Sequence, residues 1–228
     1  MGFSWSYSKL THYKTCPRQM QHLDLLKDIP QEASPALAAG DALHRAFQRR
    51  VELNLPMPTA YTMLTDWGNE LVKEYHPDQA TLLEKQFALS EQLEPCHYFS
   101  KRAWYRCKID HLKLIPWKDT GKYVAIVIDF KTGKPKEDDD QLALYALTVF
   151  KHYSKVESVR TEYWWTMTRD RDVCTYTRKS ASEAWDQIFP KVLELKRSIE
   201  DNNFPPKKSG LCKEWCPVLS CEFNGRPK

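Results

Sequence analysis

The chain contains 228 residues, enough for one α/β domain with its own core, and carries a formal net charge of +4. This mild basicity is compatible with a nucleic-acid partner but does not identify one. No apolar run reaches the roughly 20 residues that a membrane helix needs, and the opening residues lack the apolar segment of a secretory signal. We therefore expect a cytoplasmic protein with no membrane partner.

Residues 1–80 are predicted to be mainly helical. Ser6 or Ser8 can cap a short first helix. Apolar residues then recur at helical spacing over residues 36–53 and again over residues 60–75. The apolar stripe of the helix over residues 36–53 consists of Leu37, His44, Phe47 and Val51.

His44 is the one titratable side chain on that stripe. A buried histidine bonded to a backbone carbonyl is a common arrangement and needs no further function. A neutral imidazole is also a ready metal ligand. The choice between these interpretations depends on which groups the imidazole meets in the fold.

Residues 103–145 contain the most informative pattern in the chain. Two apolar runs rich in β-branched residues are joined by a connection that contains Gly121, which predicts a β-hairpin. Asp110 lies within the first run, and Asp129 and Lys131 close the second. Because side chains alternate along a strand, Asp129 and Lys131 are expected on the same face.

Two carboxylates and an ammonium group at the end of a small sheet suggest a divalent-metal site. Mg²⁺ takes oxygen ligands, and it can polarise a phosphodiester and lower the pKa of a bound water. A nearby lysine can orient that water or offset developing charge. A surface hairpin with an ion pair would give the same pattern, so the residues alone leave both interpretations open. Glu84 could approach this site, although a solvated or ion-paired glutamate is the simpler interpretation.

The flanking elements complete a mixed α/β domain. A first strand is predicted over residues 82–93, before the hairpin. The acidic residues 137–140 are expected to cap a helix over residues 141–152. A strand over residues 156–168 is expected to pair with residues 172–178.

The last predicted helix covers residues 182–202 and is expected to kink or split at Pro190, which cannot donate a helical hydrogen bond. We expect a single domain over residues 1–228. Its core sheet and active site are predicted within residues 82–180, and its last helix and a cysteine cluster within residues 181–228.

Three of the seven cysteines lie close together near residue 228, with the spacing C-x3-C-x4-C. Three thiolates need a fourth ligand to complete a zinc or iron–sulfur site, and the cysteine of an upstream Cys-Pro step is the natural candidate. Reduced surface cysteines without a ligand are the alternative. An odd number of cysteines favours a reducing compartment over disulfides. The predicted ligands are Cys16, Cys212, Cys216 and Cys221.

Taken together, these motifs resemble the RecB-like branch of the PD-(D/E)XK nuclease superfamily. More narrowly, they resemble its iron–sulfur exonucleases, which are related to the CRISPR-associated exonucleases and the AddB nuclease domain and include phage-encoded versions. The opening S-Y-S-K-L followed by C-P-R is similar to the entry motif of that family. The later segments G-D-A-L-H, K-I-D, D-F-K and Q-L-A-L-Y are similar to its remaining motifs and occur in the expected order.

The resemblance implies a metal-dependent active site on a restriction-endonuclease-like core sheet. His44, Asp110, Asp129 and the backbone carbonyl of Phe130 would hold Mg²⁺ or Mn²⁺. Lys131 would position or activate the attacking water, and hydrolysis would leave a 5′-phosphate and a 3′-hydroxyl. The resemblance further places Gln141 and Tyr145 near the site and the substrate, where Gln141 would support the lysine.

The resemblance also implies that the four predicted cysteine ligands hold a 4Fe-4S cluster that joins the two ends of the chain. The sequence departs from the family in two places. The strand motif has Arg106, Cys107 and Lys108 where relatives often have glycine before the aspartate. The final cysteines have the spacing C-x3-C-x4-C where relatives commonly have C-x2-C-x5-C, so Zn²⁺ stays open as the alternative.

We therefore expect a DNA exonuclease of recombination, repair or phage DNA processing, in a bacterial, archaeal or phage-infected cell. Its partner would be DNA, single-stranded or with free ends, and a homo-oligomer or a recombination protein is compatible with the resemblance. One alternative is a catalytically weak DNA-binding or recombination-accessory module built on a nuclease core. Another is a redox or metal-sensing regulator that uses the cysteine cluster.

Overall fold

The computed structural model describes residues 3–30, 35–73, 80–135 and 139–226. The chain divides into two compact units, Met1–Glu32 together with Asp186–Lys228, and Ala33–Trp185. The helices are α1 (Tyr7–Thr15), α2 (Pro17–Met20), α3 (Pro35–Leu53), α4 (Thr65–Lys73), α5 (Asp140–His152) and α6 (Arg178–Glu200). The strands are β1 (Ala80–Leu89), β2 (Pro95–Cys96), β3 (Tyr105–Trp117), β4 (Lys122–Lys131), β5 (Val156–Trp165) and β6 (Asp170–Tyr176).

A six-stranded sheet organises the unit Ala33–Trp185, with the strand order β2-β1-β3-β4-β5-β6 among the described residues. Neighbouring strands are antiparallel except β4 and β5, which are parallel. A parallel pair needs a crossover connection, and α5 supplies it. The predicted mixed α/β fold is confirmed, with a sheet flanked by helices.

The apolar surface of α3 and α4 packs against the centre of the sheet. Phe47 of α3 stacks on Phe130 of β4 with 4.3 Å between ring centroids, and Trp67 of α4 lies 4.9 Å from Trp164 of β5. All four side chains are buried. This packing fixes α3, and therefore the predicted ligand His44, against the end of β4.

Helix α5 is apolar around its whole circumference, since nine consecutive residues from Leu142 to Phe150 are buried. A helix of this composition needs cover on every side. Its C-terminal end is fixed by Arg178, whose guanidinium group donates to the carbonyls of Phe150 at 2.8 Å and Val156 at 2.8 Å. It also donates to the carbonyls of Tyr153 and Ser154, and lies 5.0 Å from the centre of the Phe150 ring.

The other unit brings the two ends of the chain together. Ser6 caps α1, as its side chain accepts a hydrogen bond from the Lys9 amide at 3.3 Å. The Tyr13 hydroxyl lies 2.7 Å from the Ser198 hydroxyl. A π-helical segment, Gln21–Leu26, follows α2. In the described part of the chain, no helix is long and apolar enough to cross a membrane.

Several local predictions are corrected. Leu37 is 56% exposed rather than part of the buried stripe of α3. The region predicted as one helix over residues 60–75 is a 3-10 helix, Thr59–Leu64, followed by α4, and residue 75 lies outside the described residues. The first strand ends at Leu89 rather than at residue 93.

The helices at the other end of the chain also differ from expectation. Asp139 precedes α5 but its side chain makes no capping hydrogen bond, and residues 137 and 138 lie outside the described residues. Helix α6 continues through Pro190 without being split. Proline removes one donor from a helix, and here the other helical bonds and the burial of neighbouring Ile188 and Val192 outweigh that loss.

Candidate active site

The two predicted carboxylates lie side by side in the centre of the sheet. Asp110 of β3 and Asp129 of β4 are 6% and 4% exposed. The pairing of β3 with β4 ends at His111 opposite Ile128, one position before the aspartates. There the Asp110 carboxylate accepts the Phe130 amide hydrogen at 3.0 Å, which replaces the missing backbone partner.

His44 projects from α3 into this group. Its Nε2 lies 3.0 Å from the Phe130 carbonyl oxygen, and its Nδ1 lies 3.4 Å from Oδ1 of Asp110. Burial lowers the pKa of His44, but the Asp110 and Glu84 carboxylates outweigh burial and raise this pKa to about 10. The structure thus brings together three of the predicted metal ligands, His44, Asp110 and the carbonyl of Phe130, and Asp129 lies close enough to Asp110 for its charge to raise the pKa of that carboxyl.

Glu84 of β1 belongs to the same group. The sequence alone favours a solvated or ion-paired glutamate at this position. Its Oε1 lies 3.6 Å from Nδ1 of His44, and its other oxygen forms an ion pair with Lys108. Within the described residues, His44, Glu84 and Asp110 are the one group of three or more His, Cys, Asp or Glu side chains whose ligand atoms all lie within 4.8 Å of one another.

A backbone feature explains why the alternation of β1 does not reveal this position. Glu84 has a φ of 50°, in the left-handed region that strands normally avoid. The pairing of β1 with β3 passes from Leu83 opposite His111 to Lys85 opposite Ile109, without a pair at Glu84. The local conformation turns the carboxylate towards His44, against the regular alternation.

The other predicted residues form a hydrogen-bonded chain around Asp129. The Tyr145 hydroxyl donates to Oδ1 of Asp129 at 2.7 Å, and Gln141 Nε2 donates to the Tyr145 hydroxyl at 2.7 Å. Lys131 Nζ donates to Gln141 Oε1 at 2.8 Å and lies 2.7 Å from Oδ2 of Asp129. Asp129 and Lys131 therefore share a face, as alternation predicts.

Tyr163 of β5 completes this chain and was not singled out from the sequence. Its hydroxyl donates to Gln141 Oε1 at 3.3 Å, and its ring centre lies 5.0 Å from the Lys131 ammonium. The parallel register of β4 and β5 places Tyr163 beside Asp129. Its position before two tryptophans of the same strand gives no signal, because only the pairing of β5 with β4 brings it to the site.

The charges of this group fit a divalent cation. Oδ2 of Asp129 is buried and lies 2.7 Å from the Lys131 ammonium. Burial raises the pKa of Asp110, and the neighbouring charge of Asp129 raises it further. Two buried carboxylates repel each other; Lys131 faces one of them and His44 the other, and a bound cation would offset the charge of both. Oxygen ligands of this kind suit Mg²⁺ or Mn²⁺.

The predicted cysteine ligands lie together in the other unit, and all seven cysteines are free of disulfides. Cys216 and Cys221 are buried in a small cluster with Val218. Burial raises the pKa of Cys216, and the nearby thiols of Cys212, Cys16 and Cys221 raise it further.

Backbone amides point at two of these sulfur atoms. The Lys207 amide donates to Sγ of Cys16 at 3.4 Å, and the Ser209 amide donates to Sγ of Cys212 at 3.4 Å. Such donors stabilise a thiolate, which is the form that binds metal. Backbone amides thus donate to two of the four predicted cysteine ligands, and all four lie in one unit.

Comparisons with known proteins agree with this fold. The family model of the PD-(D/E)XK nuclease superfamily matches residues 4–221. A crystal structure of a candidate exonuclease from Eubacterium rectale is 13% identical, covers 93% of this chain and 86% of that chain, and gives a TM-score of 0.52. The crystal structure of SSO0001 is 12% identical, covers 98% and 88% of the two chains, and gives a TM-score of 0.46.

At these identities the likeness to solved structures concerns the fold alone. A comparison with curated proteins finds no match. The family match, in contrast, spans almost the whole chain, including every residue of the site described above. The chain therefore belongs to the PD-(D/E)XK nuclease superfamily.

Proposed function

We propose that the protein is a metal-dependent DNA exonuclease. The observation that carries this proposal is the buried pair Asp110 and Asp129, with the Lys131 ammonium 2.7 Å from Oδ2 of Asp129. A protein that only binds DNA has no need of this costly like-charged pair. A role in recombination, repair or phage DNA processing in the cytoplasm belongs to the same proposal.

The residues that would hold Mg²⁺ or Mn²⁺ are His44, Asp110, Asp129 and the carbonyl of Phe130, with Glu84 beside them. A bound cation of this kind polarises the scissile phosphate and makes a water molecule more acidic. Phe130 is fixed by its ring stacking on Phe47. Its carbonyl and the carboxylates are therefore held in place before substrate arrives, which lowers the cost of reaching the transition state.

Lys131 is the group we assign to the attacking water. Its side chain is 28% exposed, so solvent can reach it, and Gln141 and Tyr163 hold its position. It would orient the water whose oxygen forms the new bond to phosphorus, while the bond to O3′ breaks and O3′ takes up a proton. Tyr145 and Gln141 hold the Asp129 carboxylate in the orientation that this step needs.

The direct test is cleavage of end-labelled DNA, single-stranded and double-stranded, in Mg²⁺, Mn²⁺ or EDTA. We expect cleavage in either metal and none in EDTA, with 5′-phosphate and 3′-hydroxyl products. Loss of label from one end before the other would also give the polarity. Folded protein that binds DNA but cleaves it in neither metal would favour the accessory-module alternative.

Glu84→Gln should weaken metal binding, because it removes one of the charges that face the cation while keeping the size of the side chain. We expect the Mn²⁺ dissociation constant, measured by calorimetry without DNA, to rise by about tenfold. The metal concentration for half-maximal cleavage should rise in parallel. Glu157→Gln makes the same change in an ion pair with Lys122 away from the site, and should leave both values unchanged. An unchanged Mn²⁺ dissociation constant in Glu84→Gln would mean that Glu84 pairs with Lys108 and does not contribute to metal binding.

We further propose that Cys16, Cys212, Cys216 and Cys221 hold a 4Fe-4S cluster with a structural role. Their clustering around Cys216 and the amide donors to two of the sulfurs support this proposal. The ligands come from both ends of the chain, within the unit Met1–Glu32 and Asp186–Lys228. A cluster there would connect segments that are far apart in sequence, and so stabilise that unit.

Cys216→Ser should therefore lower the cluster content and the melting temperature. Its effect on the rate of DNA cleavage by the folded protein should be smaller. In protein purified without oxygen we expect about four irons per chain and an absorption band near 400 nm in the wild type, and loss of both in the variant. Cys96→Ser, in the other unit, is the matched control and should keep both signals. Zinc without iron in the wild type would replace the iron–sulfur assignment by a zinc site.

A further inference from the structure

A cavity of about 470 Å³ lies beside the candidate active site, and Glu84 forms part of its wall. The cavity continues along β1 to Phe87, three residues beyond Glu84, which is about 10 Å in a strand. On its other sides lie the segment His97–Phe99 and the C-terminal end of α5. Through Glu84, one end of the cavity therefore adjoins the residues to which we assign the metal.

Aromatic side chains line this cavity together with polar ones. Phe99 is 74% exposed and meets Tyr98 edge to face at 5.1 Å. On the opposite side Phe87 meets His152 at 4.8 Å and Tyr153 at 6.2 Å, both edge to face. Such an exposed aromatic side chain costs hydration free energy in the isolated protein, and it offers a flat surface to a planar ligand.

The aromatic segment is held in place before any ligand binds. Arg106 Nε donates to the Tyr98 carbonyl at 2.7 Å, and its guanidinium carbon lies 5.7 Å from the centre of the Tyr98 ring. The Ser100 amide closes the turn by donating to the His97 carbonyl at 2.9 Å. A rigid platform loses little conformational entropy on binding, so the surface is preorganised.

Cations lie around the cavity together with two acidic groups, since Glu84 lines the wall and Glu94 pairs with Arg102 at 2.8 Å. Lys85 lies in the wall and is exposed, next to Glu84. Burial raises the pKa of the Cys96 thiol, which lies in the wall of the cavity. The positive charges of Arg102 and Arg106 lower this pKa, so both guanidinium groups lie near the wall. Cations beside aromatic faces are the combination that binds single-stranded nucleic acid through its backbone and its bases.

We propose that this cavity binds an unpaired nucleobase of the substrate strand, stacked on Phe99, when a neighbouring phosphate lies at the active site. This inference rests on the proposed nuclease function and adds a second contact with the substrate. A base in a duplex is stacked on both faces and paired along one edge, so it must leave the helix to enter the cavity. The site would therefore favour strands that are single-stranded near the point of cleavage.

The test uses single-stranded oligonucleotides that carry 2-aminopurine at successive positions from one end, bound in EDTA so that no cleavage occurs. Stacking quenches the fluorescence of this base, so we expect quenching at one position in the wild type and its loss in Phe99→Ala. Phe99→Ala should also weaken binding at least about fivefold, and Phe99→Trp should restore it. Trp117→Ala removes an aromatic residue that is 52% exposed at the far end of β3, and should change neither signal.

The two proposals fail in different ways. If the wild type cleaves DNA and Phe99→Ala binds and quenches as the wild type does, the nucleobase site is wrong and the nuclease assignment stands. If the wild type neither binds nor cleaves DNA in Mg²⁺ or Mn²⁺, the nuclease assignment and the nucleobase site are both wrong. An oligonucleotide with an abasic position in place of the quenched base should lose affinity for the wild type but not for Phe99→Ala, and equal losses would also overturn the site.

Discussion

Asp129→Asn is expected to lower metal-dependent DNA cleavage by about 10³-fold or more. The amide oxygen of asparagine can still accept the hydrogen bond from Tyr145, so the shape of the site is retained. The substitution removes the charge of a buried carboxylate and breaks its ion pair with Lys131. The measurement is the single-turnover rate on end-labelled DNA at saturating metal and protein.

The folded state of Asp129→Asn should be about as stable as that of the wild type in the absence of metal, because the lost ion pair with Lys131 offsets the lost repulsion of Asp110. Asp129 carries a charge that raises the pKa of Asp110, and the variant removes this repulsion. A melting temperature that is unchanged or raised would separate lost chemistry from lost folding. Asp119→Asn, the same change in an exposed turn, should leave the rate unaltered. Cleavage by Asp129→Asn near the wild-type rate would remove Asp129 from the proposed machinery.

Arg178→Ala should lower the free energy of unfolding by about 2–3 kcal/mol, because one guanidinium group satisfies four backbone carbonyls. Those carbonyls belong to residues 150–156, where α5 ends and β5 begins. Alanine removes all four bonds and the contact with the Phe150 ring. For a chain of this length, we expect the melting temperature to fall by about 5–10 °C.

Two neighbouring substitutions show whether this effect comes from the carbonyl contacts. Arg178→Lys keeps the charge but presents one ammonium in place of a forked group, so its melting temperature should lie between those of wild type and Arg178→Ala. Lys179→Ala removes a cation that is 86% exposed and should change stability very little. Equal melting temperatures for Arg178→Ala and Lys179→Ala would contradict the structural role of Arg178.

Local sequence patterns were sufficient where each element determines its own conformation. Ser6 is an N-cap because its oxygen can reach the amide three residues later, whatever the rest of the chain does. The spacing of Asp129 and Lys131 was equally local, since alternation alone puts both side chains on one face. The mixed α/β fold followed from the order of such elements.

Residues whose placement depends on other strands could not be predicted in the same way. Glu84 reaches His44 through a left-handed backbone conformation that a run of strand-forming residues does not indicate. Tyr163 reaches Lys131 through the register of two parallel strands. Leu37 fitted the helical periodicity but is exposed, because periodicity gives the direction of a side chain and not the presence of a neighbour to cover it.

The burial of α5 on all sides has a consequence for how the two substrate contacts are spaced. Its first turn carries Gln141, in the chain of hydrogen bonds around Asp129, and its last turn carries His152, in the aromatic cavity. Eleven helical steps of 1.5 Å separate them by about 16 Å. A helix that is packed on every side and tied at its end by Arg178 can neither slide nor stretch. The distance between the two ends of α5 is therefore constant. We expect the number of nucleotides between the cleaved bond and the stacked base to be the same for every DNA sequence.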